Sequence, residues 1–159
     1  PTSTLDTLRL AGIPIPKLHV SSAARVLKPM QNREGRKALA RLAEPKYLHQ
    51  TFAAGANGAV VWRGADLPEF LALDMEAMKD FAEVRTHFHM PLTAPPDAPL
   101  GRTAKETETL LQGVLAGWPG THIVNETYTW SVLPTGLEDG GVHGALAREL
   151  AWTRDRMTR

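Results

Sequence analysis

Apolar and polar residues alternate with a period of two in four stretches of the chain, and with a helical period in the stretches between them. Residues 17–21 (KLHVS) set Leu18 and Val20 against His19 and Ser21. Residues 46–53 (KYLHQTFA) set Tyr47, His49 and Thr51 against Leu48, Gln50 and Phe52. Residues 84–92 (VRTHFHMPL) place Arg85, His87 and His89 on one face with Phe88 opposite. Pro91 stops that strand, because it has no N–H for a ladder and restricts the residue before it. The fourth stretch, residues 122–134 (HIVNETYTWSVLP), sets Val124, Glu126 and Tyr128 against Asn125 and Thr127. Residues 59–64 (AVVWRG) predict a short accessory strand after a glycine-bearing loop.

Between these lie the helical patterns. Residues 5–11 read as the tail of a helix, with Gly12 as its C-terminal cap. Residues 23–28 and 34–43 carry helix-forming side chains, broken at Pro29 and ended by Pro45. Asp66 caps a helix over residues 67–81, with Pro68 in its first turn and Phe70, Leu71, Leu73, Met75, Met78 and Phe81 on its buried face. Thr103 and Glu106 form a capping-box pattern that opens a helix running to Gly117. The last helix spans about residues 141–157, with Val142, Leu146, Leu150 and Trp152 at core spacing and a basic end that suits its dipole.

Strand followed by helix, four times over, predicts an α/β fold of parallel strands with crossover helices. Four units are too few for a closed eight-stranded barrel of about 250 residues. The opening residues read as a helix that has lost its strand. The expectation is a single domain over residues 1–159, the last four (β/α) units of a TIM barrel. A half-barrel leaves strand edges exposed, which predicts pairing with a missing amino-terminal half or homodimerisation through those edges.

Composition narrows the classes. A hydrophobic content of 43% over 159 residues is enough for one core, and no apolar run reaches the roughly 20 residues of a membrane span. A net charge of +1 with both signs mixed supplies no phosphate-binding footprint, which argues against nucleic acid. Cysteine is absent, which removes disulfides and thiolate chemistry and fits a cytoplasmic protein.

In a parallel sheet the four strand ends share one rim, which brings His19, His49, His87, His89 and Glu126 together. Imidazoles with a carboxylate suit a divalent metal ion (Zn, Mn, Mg or Co), and a neighbouring group can move a proton. The expected metal ligands are Glu126, His89, His49 and His19, and the expected catalytic groups are His87 and His49. Each has a structural reading beside it: His19 and His49 could equally bond loop carbonyls. Arg85 could hold an anionic group, but at its strand's amino end it reads as structural, as do His122 and His143.

The series YLHQTF, RTHFHMPL and HIVNETYTWSVLP resembles the xylose-isomerase-like family of TIM barrels, and THFHMPL with NETYTWSVLP is similar to its EboE-type, metabolite-traffic branch. The resemblance covers the chain from about Gly12 onward. It implies a divalent metal held by a final-strand glutamate (Glu126), a seventh-strand histidine (His87 or His89) and a sixth-strand ligand (His49). His19 departs from the glutamate that many relatives place on the fifth strand. The function implied is a metal-dependent isomerase or epimerase acting on a small carbohydrate-like metabolite. The alternative is a non-catalytic metabolite-binding protein that keeps the barrel mouth.

Overall fold

In the computed structural model, which describes residues 2–94, 100–127, 129 and 141–157, β5 (Glu83–Met90) is the central strand of the larger of two sheets. Its alternation works as the sequence predicts. Val84, Thr86, Phe88 and Met90 are buried on one face, and Glu83, Arg85 and His87 take the other. Pro91 follows its last residue.

The strands around it run antiparallel. The five-stranded order is β4 (Val60–Gly64), β3 (Thr51–Ala54), β5, β2 (Ser22–Leu27), β6 (Gly101–Arg102). Register aligns Val26, Val84, Ala53 and Trp62 in one row and Ala24, Thr86 and Thr51 in the next, all on the inner face. Against that face pack α2 (Arg33–Ala40), α3 (Leu67–Leu71) and the turns that follow them, contributing Leu39, Leu42, Leu67, Phe70, Met78 and Phe81. Gly35 lets α2 lie directly on β2, because a Cβ there would stand 2.8 Å from the Val26 methyl.

The second sheet has two strands, β1 (Lys17–Val20) and β7 (His122–Asn125), paired in parallel. It is flanked by α1 (Thr2–Leu10), α4 (Ala104–Gly117) and α5 (Gly141–Met157). Its core is small: Val20, Leu92, Ala104 and Leu111, with Leu18, Leu115, Ile123 and Trp152 packed beside them. The chain passes from one sheet to the other across the single residue Ser21. Gly12 ends α1 at φ +67°, and Ile13 donates back to the Leu8 carbonyl, as a glycine C-cap should.

This architecture overturns the expected fold. The protein is α+β, not a run of parallel (β/α) units, and so is neither a half-barrel nor a TIM barrel. One reason is local. Residues 22–27 (SAARVL) carry good helix formers, yet Ala24 and Val26 alternate into the core between β5 and β6, and burial overrides propensity. The strand expected over residues 46–53 is β3 alone, the helix expected over 67–81 stops at Leu71, and α5 turns a different face inward. Val142 and Leu150 are exposed, while Ala145, Glu149 and Thr153 are buried. No helix among the described residues is long and apolar enough to cross a membrane.

Candidate functional site

The two sheets meet where β1 becomes β2, and four of the expected site residues converge there. His19, on the exposed face of β1, places Nδ1 3.2 Å from Glu126 Oε2. The Glu126 backbone N–H donates to the Val20 carbonyl at 3.0 Å, which fixes that residue to β1 just beyond β7. Its own carbonyl meets His89 Nδ1. His89 Nε2 lies 3.1 Å from His87 Nε2, and the two rings stack with centroids 5.2 Å apart. A local irregularity in the β2–β5 register, with Ala24 opposite Thr86 and Ala23 opposite His89, brings both histidines to the junction. The Thr129 hydroxyl donates to the His89 carbonyl at 2.6 Å and closes the cluster from behind.

The partners fix the protons. His89 is only 2% exposed, and burial is the largest influence on its ring, holding its pKa below the usual histidine value of 6.5. Proximity to His87 pushes the same way, whereas the Glu126 carbonyl and carboxylate oppose it. At neutral pH the ring is therefore uncharged. A carbonyl only accepts, so Nδ1 carries the proton and Nε2 is the acceptor. The His87 Nε2–H then donates to it, which leaves Nδ1 as the acceptor of the exposed His87 ring. The His19–Glu126 pair is close to half exposed on both sides, so it orients more than it stabilises.

His49 is separated from this cluster by the sheet. Its ring, 2% exposed, packs against Phe88 on the core face with centroids 5.1 Å apart. Nδ1 meets the His87 carbonyl and Nε2 meets Glu44 Oε1, each at 3.1 Å. Burial acts to raise the Glu44 carboxyl, but the Lys46 N–H, the His49 ring and the Tyr47 N–H outweigh it and hold the pKa below the usual value. His49 thus ties residues 44–50 to β5 and is a structural residue.

The expected metal site does not assemble. Among the described residues no group of three or more histidine, cysteine, aspartate or glutamate side chains is arranged to hold an ion. Glu126, His89, His49 and His19 do not form one ligand set, because His49 lies behind the sheet and the Glu126 carboxylate is directed to His19.

Arg85 shares the face of His87, as its spacing predicts, and its charge is matched. It pairs with Glu83 at 2.6 Å and reaches Glu106 at 3.5 Å, while Arg25 holds Glu106 at 2.6 Å. Glu106 therefore serves the sheet rather than a capping box, and Thr103 Oγ1 accepts from the Ala23 N–H. Sequence reasoning missed Glu44, which accepts from the Lys46 and Tyr47 N–H groups and meets His49 five residues on, and Glu149, whose partner, the Leu92 N–H, lies 57 residues away. The chain matches no protein-family model, no curated protein and no solved structure, so its site is defined by its own geometry.

Proposed function

We propose that the His87–His89 pair carries out proton transfer on a small carbohydrate-like metabolite, the reaction class of a sugar isomerase or epimerase. The observation that supports this reading is the 3.1 Å contact between the two Nε2 atoms, with the inner ring buried and pinned on a carbonyl. His87 is exposed and offers Nδ1 as a base for a proton next to a carbonyl carbon. As Nδ1 takes that proton, Nε2 passes its own to His89 Nε2. His87 stays neutral, His89 becomes an imidazolium, and the substrate becomes an enediolate. The Glu126 carboxylate favours the charged inner ring, and return of the proton to the neighbouring carbon, with the remaining hydroxyl proton moving between the two enediolate oxygens, gives the isomer and restores both tautomers. The matched charges of Arg25, Arg85, Glu83 and Glu106 beside the pair suit an uncharged sugar better than a phosphorylated one.

The test is hydrogen exchange. Erythrose, ribose, fructose and glucose are incubated with the protein in D2O and followed by NMR. Deuterium is expected at the carbon beside the carbonyl, with loss of about 100-fold or more in rate for His87→Gln. Neither binding nor exchange with any sugar would end the reading. A second reading, binding without turnover, is favoured by the engagement of the Glu126 carboxylate with His19, which leaves no second base. Saturable binding without exchange selects it.

A further inference from the structure

The cations of α2 fall into one stripe. Arg33, Arg36, Lys37 and Ala40 sit at i, i+3, i+4 and i+7, on a side of the helix away from Gly35 and Leu39, which are buried. Beside that stripe a groove of about 450 Å3 runs between α2 and the segment formed by α3 and the turns after it. Its floor is apolar: Phe70, Leu71, Leu73, Met75 and Met78.

The charge on the α2 wall is not matched. Arg36 Nη1 donates to the Pro29 and Met30 carbonyls, which carry no formal charge. Lys37 meets Glu34 at 2.9 Å, but both side chains are more than half exposed, so the pair is weak and open to exchange. Arg33 is exposed and forms no ion pair among the described residues. The carboxylates of the facing wall are taken up locally: Asp74 accepts from the Ala77 N–H at 2.8 Å, and Glu76 from Lys79 at 2.6 Å. Position adds to charge. Arg33 opens α2, with Arg36 and Lys37 one turn on, at the positive end of the helix dipole, where cations are disfavoured. An anion in the groove is attracted by the side chains and the dipole together.

Shape selects the kind of anion. The volume falls among small-molecule sites of about 300–1,000 Å3. It is too small to seat an amphipathic helix about 10–12 Å across, and a concave floor suits a single chain better than a bilayer surface.

We propose that the α2–α3 groove binds a single-chain amphiphile with a carboxylate head, a fatty acid anion. The head lies on Arg33, Arg36 and Lys37, and the chain runs over Ala40, Leu71, Leu73 and Met75, with the buried Phe70 and Met78 closing the bottom. Both helices pack on the inner face of the sheet and His87 stands on the outer one, so this site is independent of the proton-transfer reading.

Decanoate is the probe, titrated below its micelle concentration into the 15N-labelled protein, with acetate as the head alone and decyltrimethylammonium as the same chain on a cation. Saturable decanoate shifts are expected at the Lys37, Ala40, Leu73 and Met75 amides. Acetate should bind at least about tenfold more weakly for want of the chain, and the cation should give no saturable shifts there. Met75→Glu, at a position 42% exposed and therefore tolerant, should weaken decanoate binding about tenfold or more. Arg33→Gln combined with Lys37→Gln should weaken it about tenfold by removing two charge-assisted contacts. Absence of saturable decanoate shifts overturns the proposal, including the case in which the protein binds phosphatidylglycerol vesicles instead. So does equal binding of acetate or the cation, or an affinity unchanged in either variant.

Discussion

The five-stranded sheet with α2 and α3 and the two-stranded sheet with α1, α4 and α5 solve the packing problem differently. The first closes one face over thirteen buried apolar residues, from Ala24 to Leu100, and its central ladder is paired on both sides. Among the described residues the second gathers a cluster of four, with Leu5, Val114 and Ala145 buried elsewhere on its helices, and it places Asn125, Thr127, Glu149 and Thr153 in the same layer. The difference separates stability from chemistry. Apolar closure of the inner face leaves the larger sheet's polar groups on its outer face and at the seam, where His87 and His89 stand, whereas the thinner layer carries its polar atoms inside.

The largest expected contrast comes from truncating each core. Phe70→Ala should cost about 3–5 kcal/mol, and Leu111→Ala should lie toward about 2 kcal/mol, because the smaller cluster can collapse around the loss. Urea midpoints at constant slope measure both, and equal losses would mean that the two regions are packed alike.

Glu149 sharpens the comparison next. Glu149→Ala leaves the Leu92 N–H unpaired, which at 2.6 Å is a short contact to a fully buried carboxyl, and should cost about 1–3 kcal/mol. Glu149→Gln keeps an acceptor and instead changes the pH response. The folded pKa of Glu149 is raised above the usual 4.5, so its contribution is complete below that value and is lost as pH rises through the folded pKa. His89 has the opposite sign. Its folded pKa lies below 6.5, so its contribution is complete above 6.5 and is lost as pH falls. Between pH 4.5 and 6.5 the two slopes oppose each other. Glu149→Gln should therefore rise in stability with pH more steeply than the parent, and thermal melts across that window read the difference directly.

The smallest effect belongs to the surface of the larger sheet. Glu106 bridges Arg25 and Arg85 while about 31% exposed, and Glu106→Gln should cost about 1 kcal/mol. Asp6→Asn, which breaks the exposed pair with Arg9, should be near zero. A loss at Asp6 as large as that at Glu106 would contradict the exposure argument.

Much of the local structure was legible in the residues themselves. The period of two in residues 84–90 placed Arg85 and the two histidines on one face, Pro91 ended the strand, Gly12 ended α1, and α5 occupies residues 141–157 as expected. Asp66 caps α3 through the Leu67 N–H. One juxtaposition was legible in part: His19, Glu126, His87 and His89 do meet, and Arg85 shares the face of His87. His49 was misplaced because a residue's facing within its own strand does not reveal on which side of a sheet that face lies.

Periodicity, caps and breakers act over a few residues, so the chain alone determined where most elements begin, what shape they take and which side chains point together. Strand direction, the conversion of residues 22–27 from helix to sheet, the buried polar face of α5 and the pairing of Glu149 with the Leu92 N–H depend on burial against remote segments. Those contacts are settled by which packing removes the most apolar surface from water while leaving each polar group a partner, and only the folded chain brings both conditions to bear at once.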